Sequence, residues 1–426
     1  MKNLNFGDKI VVITPKKEYH GSYMPGSDDG KLVLKLENGY NVGIYKNKIK
    51  QVKLLEKYKE TKSEIKSIKS QKNLPKIVIL HTGGTIASKV DYKTGAVVAK
   101  FTPKNLLSMF PELTKIANID SKLIGNFMSE NIRFAHYNLM AKEVEKALER
   151  ADGVIITHGT DTLGYTSAAL SFILEDLGKP VILVGAQRSS DRGSSDAGMN
   201  LIYAAKFIAN SDFAGVGICM HANTNDEGCY ILPPCKTKKL HSSRRDAFRV
   251  VNDKPYAFVG KDKINYLRED YYKKSKSKVS LKLFKNDLKI GILRGKPQMF
   301  SNEVDSYSNY DGLILEGTGL GHMPIVKFDK YTSENERILE SLSRLCSKIP
   351  VVMTSQTVFG RVNMNVYSPG KELQKIGVLS GEDMLTETAY IKLAWLLSNN
   401  KKEVKALVGK NIRGEINKRL KPDDFL

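Results

Sequence analysis

From residue 76 onward the chain alternates short apolar runs with longer stretches whose apolar residues recur at helical spacing. The runs Ile77-Val78-Ile79-Leu80 and Val154-Ile155-Ile156, with others at 180–184 and 215–220, are continuous rather than alternating. That is the pattern of strands covered on both faces. Segments 141–150, 162–177 and 197–210 read as helices between them. Strand–helix alternation predicts an α/β fold with a mainly parallel sheet. The polar, basic stretch 271–278 reads as an interdomain linker. A second α/β run follows, with strands near 289–293, 312–315 and 350–353 and helices over 333–347 and 384–397.

The first 55 residues follow a different pattern. Residues 9–13, 31–35 and 40–45 are short β-type runs, separated by Gly21, by a turn cluster at 25–30 and by Glu37-Asn38-Gly39. Asn-Gly between such runs is a strong hairpin signal. Several short strands with tight turns predict a small β-barrel. In the polar stretch 56–75, Lys59, Lys62, Lys66, Lys69 and Lys72 recur at three- and four-residue steps. They read either as a solvated linker or as a basic stripe along one side of a helix. A chain of 426 residues exceeds what one core usually holds. The expected units are a β-barrel at 1–55, a basic linker at 56–75 and α/β domains at 76–270 and 286–426.

Composition narrows the setting. No apolar stretch reaches the length that spans a bilayer, and the first residues lack the apolar core of a secretion signal. Four cysteines do not make a disulfide scaffold in a chain of this length. The expectation is a soluble protein of the cytoplasm with no membrane association. Lys and Arg total 67 against 46 Asp and Glu, a net charge of +21. That excess fits a polyanionic partner such as RNA, or equally a lysine-rich surface without a dedicated partner.

The chemistry is concentrated at two strand ends. Gly83-Gly84-Thr85-Ile86 closes the first apolar run, and Thr157-His158-Gly159-Thr160-Asp161 closes the second. Each would deliver a threonine hydroxyl to the carboxyl edge of a parallel sheet, where open α/β folds bind ligands. Glycines there let backbone N–H groups approach a substrate. A hydroxyl beside backbone donors is equipment for acyl transfer. His221, Cys229, Cys235 and His241 lie close in sequence, but their spacing matches no compact zinc pattern, so no metal site is expected. No phosphate-binding loop signature is present, so no ATP site is expected in this chain.

The segments 81–87 and 157–162 resemble, in order and in context, the two signature segments of the bacterial-type L-asparaginases, which are amidohydrolases. The resemblance implies a two-domain asparaginase-like α/β core and a set of site residues. Thr85 falls at the primary nucleophile position, Thr160 at the second threonine, and Asp161 follows it. Lys239 opens a stretch, 239–248, similar to the family's lysine-containing stretch. A Thr160–Lys239–Asp161 relay follows, in which Lys239 serves as base if burial or nearby positive charge such as Arg244 and Arg245 lowers its pKa. Asp161 would hold the ammonium and could grip a substrate amino group. Tyr92, in the loop 88–96 that could close over substrate, is the candidate for the family's lid tyrosine. Ser129 and Glu130 fall where the family binds the substrate's α-carboxylate and α-amino ends; Ser129 also reads as a helix N-cap. Which threonine attacks is left open.

Three features set the chain apart from simple asparaginases: the β-type segment at the start, the Lys239-Leu-His-Ser-Ser-Arg-Arg-Asp-Ala-Phe248 stretch, and the second-domain segments 315–322 and 356–367. Together they resemble the glutaminase (D-type) subunits of archaeal tRNA-dependent amidotransferases. This resemblance implies hydrolysis of glutamine and delivery of ammonia to a partner, the E-type amidotransferase subunit, which binds tRNA(Gln) and uses ATP and Mg to amidate its glutamyl end. It implies no cofactor in this chain and a homodimer core within a heterotetramer. A stand-alone asparaginase or glutaminase is the alternative.

Overall fold

The computed structural model describes residues 4–26, 30–37, 41–58, 71–83, 106–107, 109–188 and 194–425, together with the backbone of the paired strands Ser88–Val90 and Val97–Ala99. Most of the lysine-rich stretch, residues 59–70, lies outside them.

Five short strands open the chain: β1 (Lys9–Ile13), β2 (Glu18–Met24), β3 (Lys31–Leu36), β4 (Asn41–Tyr45) and β5 (Gln51–Glu56). They pair antiparallel in the order β4-β3-β2-β1-β5 around a small core of Ile10, Val12, Leu32, Leu34 and Ile44. Gly21 is not the turn that its position between apolar runs suggests. It lies inside β2, where a Cβ would stand 2.3 Å from the Lys35 carbonyl oxygen. A glycine in a strand often marks such a close backbone approach.

The large sheet contains β6 (Lys76–His81), β7 (Asn118–Leu123), β8 (Gly153–Thr157), β9 (Pro180–Val184), β10 (Gly215–His221) and β11 (Gly228–Leu232). A separate two-stranded ribbon, β12 (Thr237–Lys239) with β13 (Phe248–Val250), comes next, and β14 (Ala257–Gly260) and β15 (Ile264–Tyr266) return to the sheet. The order is β15-β14-β11-β10-β9-β8-β6-β7, with β6 through β10 mutually parallel and β11, β14 and β15 paired antiparallel. Helices α1 (Phe134–Leu148) and α2 (Leu163–Ile173) cover one face, and α3 (Ala197–Asn210) the other. α2 stops short of residue 177 because Leu174 and Glu175 leave the helix to pair with Leu281 and Ser280. α1 starts earlier than residue 141, because Phe134, Tyr137 and Met140 already belong to its buried stripe.

The second sheet is all parallel: β16 (Ile290–Arg294), β17 (Gly312–Gly317), β18 (Val351–Ser355) and β19 (Leu379–Ser380), in that order. Helix α4 (Glu334–Cys346) packs on one face. Helix α5 (Thr386–Asn399) packs on the other and belongs to the same apolar cluster as α1 and α2, with the Phe172 and Trp395 rings 5.5 Å apart. The two sheets therefore share a core. The stretch 271–278 runs along the first of them: Tyr271 donates to Asp212, and Ser275 N donates to the Gly178 carbonyl. Among the described residues no helix is long and apolar enough to cross a membrane.

Candidate active site

β6 and β8 are neighbours in parallel register, with His81 opposite Thr157, so the two motif-bearing ends emerge side by side. Their exits are stitched together. Thr82 donates from both its amide (3.2 Å) and its hydroxyl (2.9 Å) to the Thr157 carbonyl, and His81 Nδ1 shares a 2.9 Å hydrogen bond with Thr157 Oγ1. The chain then turns at Gly83, whose φ is +114°. A Cβ there would come within 2.6 Å of the Phe127 carbonyl oxygen, so both dihedral and space require glycine. Thr85 lies two residues beyond, outside the described residues, and Tyr92 does too.

After β8 the backbone is tied down by His158. Its Nδ1 donates to the Gly159 carbonyl at 2.6 Å, and Nε2 lies 2.9 Å from Thr166 Oγ1 in the first turns of α2. Burial pushes the imidazole pKa down to about 4, so near neutral pH the ring is uncharged and Nε2 accepts from the Thr166 hydroxyl. Burial lowers His81 to about 4 as well. Gly159 presses against Ser129: a Cβ on it would lie 2.8 Å from the Ser129 Cβ and 2.9 Å from its Oγ. Thr162 Oγ1 donates to the Ser129 carbonyl at 2.7 Å, closing the same contact from the other side. Ser129 opens a one-turn helix, Ser129–Asn131, and is buried against this loop. Glu130 beside it is exposed.

Lys239 comes to this edge from the β12–β13 ribbon. Its Nζ donates to Thr160 Oγ1 at 2.9 Å and to Asp161 Oδ1 at 2.8 Å. The lysine side chain is 15 % exposed, whereas Asp161 is 68 % exposed and opens to solvent. The fold thus brings together Ser129, Thr160, Asp161 and Lys239 and delivers the Gly83 turn to their side. A hydroxyl held by an amine and flanked by a carboxylate can act as an activated nucleophile or as the proton carrier beside one. Arg244 and Arg245 do not serve Lys239 as spare positive charges. Arg244 forks onto Asp246, holding that carboxyl down at about 2 with help from Arg249, and Arg245 pairs with Asp226.

Of the four residues that invite a zinc reading, His221 and Cys229 share one partner, Asn200 Oδ1, to which Cys229 Sγ donates at 3.3 Å, and the other two go elsewhere. His221 Nδ1 meets Asn200 Oδ1 at 2.6 Å, Cys235 faces Ser171, and His241 Nδ1 accepts from the Ser243 and Arg244 amides. Among the described residues no cluster of three His, Cys, Asp or Glu side chains could hold a metal. A cavity of about 270 Å³ opens elsewhere, at the carboxyl ends of the second sheet, lined by Arg294, Glu316, Gln356 and Glu382 among others. It includes none of Thr160, Asp161 or Lys239. The convergence of side chains, not cavity size, locates the site. Reading the sequence missed what supports Lys239. Lys236 and Lys238, just before it, reach Asp383 and Glu387 of the second α/β unit. Only three lysines within four residues, at 236, 238 and 239, hinted at this, since the partners lie about 150 residues away (149 for Lys238 and Glu387).

Comparison with known proteins identifies the relatives of this chain. Residues 76–272 match the family model "Asparaginase, N-terminal", residues 289–407 match "Glutaminase/Asparaginase C-terminal domain", and residues 4–55 match "GatD N-terminal domain". The D subunit of glutamyl-tRNA(Gln) amidotransferase from Pyrococcus horikoshii is 45% identical, over 100% of this chain and 98% of its own length. The proteins of the same name are 45% identical in Thermococcus kodakarensis, over 99% of this chain and 97% of theirs, and 44% in Methanococcus maripaludis, over 97% and 98%. Among solved structures, the thermostable L-asparaginase of Thermococcus kodakarensis superposes with a TM-score of 0.69 at 30% identity, covering 81% of this chain and all (100%) of its own. L-asparaginase I of Vibrio cholerae gives 0.68 at 27% identity, covering 81% and 99%. The chain belongs to the asparaginase family and, within it, to the family of the glutamyl-tRNA(Gln) amidotransferase D subunits.

Proposed function

We propose that this chain is the glutaminase subunit of a tRNA-dependent amidotransferase, supplying ammonia for the conversion of Glu-tRNA(Gln) to Gln-tRNA(Gln). The observation that carries this reading is the Lys239 amine held within hydrogen-bond reach of both Thr160 and Asp161 in a chain that matches D subunits along its whole length. A threonine oxygen, from Thr85 or Thr160, bonds to the side-chain amide carbon of glutamine. The C–N bond breaks, and the nitrogen leaves as ammonia after taking up a proton. Water then cleaves the resulting ester to glutamate and restores the hydroxyl. Lys239 relays the proton of Thr160 to the leaving group, while Asp161 orients the amine. Ser129 and Glu130 serve the α-carboxylate and α-ammonium of the substrate, and Tyr92 covers the nucleophile.

The partner, the E-type polypeptide of the amidotransferase, binds the tRNA and uses ATP and Mg; this chain needs no cofactor of its own. Two copies form the core of a heterotetramer in the cytoplasm. A free glutaminase would waste glutamine, so the chain alone is slow and accelerates when partner and glutamyl-tRNA are present. The test is ammonia release from glutamine by the chain alone, with partner, and with partner plus charged tRNA. A rise across the three supports the coupled role. Equal rates would favour a stand-alone amidohydrolase.

A further inference from the structure

Lys239 sits at the end of a three-residue strand in a two-stranded ribbon, outside the large sheet. A ribbon of that size does not hold its own conformation in water. Its position is set from the second α/β unit. Lys236 Nζ donates to Asp383 Oδ2 at 2.6 Å and to the Asp383 carbonyl at 3.2 Å, and both side chains are fully buried. Two residues on, Lys238 pairs with Glu387 in the first turn of α5, both about a quarter exposed. Thr388 donates to the Cys235 carbonyl at 2.8 Å. Asp383 is itself fixed by the Asn417 amide at 3.0 Å and by Arg361 at 3.3 Å. Alternate residues of a strand point to opposite sides. Lys236 and Lys238 therefore reach toward the second unit while Lys239 reaches toward Thr160.

We propose that Lys238 and Glu387, with the buried Lys236–Asp383 pair behind them, are positioning residues for the Lys239 amine. The second α/β unit then sets the geometry of the relay in the first within one chain. This rests on the relay reading of the site. Placement errors of an ångström at a reacting group can cost orders of magnitude in rate. The Lys236–Asp383 pair is a poor place to test the idea, because breaking a fully buried pair destabilises the whole chain. The partly exposed Lys238–Glu387 pair can be broken without that penalty.

The experiment uses the full-length chain in its assembled form and measures glutamine hydrolysis for Lys238→Met, Glu387→Gln, the double variant, Lys238→Arg and Lys239→Ala, each with its melting temperature. The expected result is a fall in kcat of about tenfold for each single variant with KM nearly unchanged, no further fall in the double variant, and recovery in Lys238→Arg. Melting temperatures should stay close to wild type. Wild-type kcat in Lys238→Met and Glu387→Gln, with Lys239→Ala inactive, overturns the positioning role and leaves the relay standing. Additive losses in the double variant also overturn it. Full activity in Lys239→Ala removes the relay, and the positioning role with it.

Discussion

The molecule contains two parallel-sheet edges that look alike in outline and differ in what their polar groups do. At the edge formed by β6 and β8 three distant segments meet, with Lys239 between Thr160 and Asp161 and Ser129 against Gly159. At the edge formed by β16, β17 and β18, polar groups are spent on one another. Glu316 accepts from Thr386, Gln356 donates to the Glu316 carbonyl at 2.9 Å, and Ser355 donates to the Gly319 carbonyl at 2.6 Å. The second edge opens onto the cavity of about 270 Å³, yet its neighbouring segment, 383–388, grips the strand that carries Lys239. Similar architecture thus gathers a Thr160–Lys239–Asp161 cluster at one edge and mutually satisfied polar groups at the other, because function depends on the site and not on the fold.

The strongest test of this contrast is removal of the relay or of the other candidate nucleophile, Thr85. Thr160→Ala, Lys239→Ala and Thr85→Ala should each lower glutamine turnover by about 10³-fold or more while the chain stays folded by circular dichroism. Near-wild-type turnover in any of the three would move the chemistry away from that residue.

The histidines behind the Thr160 edge come next. His81 and His158 titrate near pH 4 in the folded chain against 6.5 when free. Between those values the unfolded chain binds protons that the folded chain does not, so stability falls as pH drops through the window and is intact above it. Each histidine contributes up to roughly 3 kcal/mol of that dependence. Denaturant titrations from pH 7 to pH 4.5 should show a steeper loss for wild type than for His158→Gln. Parallel curves would mean that His158 is not buried uncharged.

A smaller effect is expected at the contact between the two motif loops. In Gly159→Ala the new methyl would meet Ser129 at under 3 Å, at 2.8 and 2.9 Å before relaxation, so Thr160 or Ser129 must shift. A loss of kcat/KM of about tenfold to a hundredfold follows, read by steady-state kinetics. The smallest effect belongs to the second edge. Arg294 is two-thirds exposed and meets Glu316 only at 3.6 Å, so Arg294→Met should leave kcat within about twofold. A large loss there would break the contrast by making the second edge part of the chemistry.

Much of the frame is legible in local pattern. β9 and α3 fall on the expected residues 180–184 and 197–210, because a continuous apolar run and an amphipathic stripe are set by neighbours in sequence. Gly21 escapes such a reading because its reason is a carbonyl oxygen on another strand, which no local window contains. The end of α2 escapes it for the same cause, since Leu174 and Glu175 follow a strand more than 100 residues later, with Leu174 opposite Leu281.

Residue type and spacing over a few positions were enough for the α/β class, for the two glycine–threonine strand ends and, by resemblance, for the candidate residues Thr160, Asp161 and Lys239. Long-range packing was needed for the rest. It shows that Lys239 Nζ reaches both Thr160 and Asp161, that Arg244 and Arg245 are occupied by other carboxylates, and that Lys236 and Lys238 anchor to Asp383 and Glu387. The physical reason is that a lysine looks the same in sequence whatever it touches. Its role is set by the carboxylate or hydroxyl within about 3 Å of its amine, and in a chain of this topology that partner is delivered from 78 to 149 residues away.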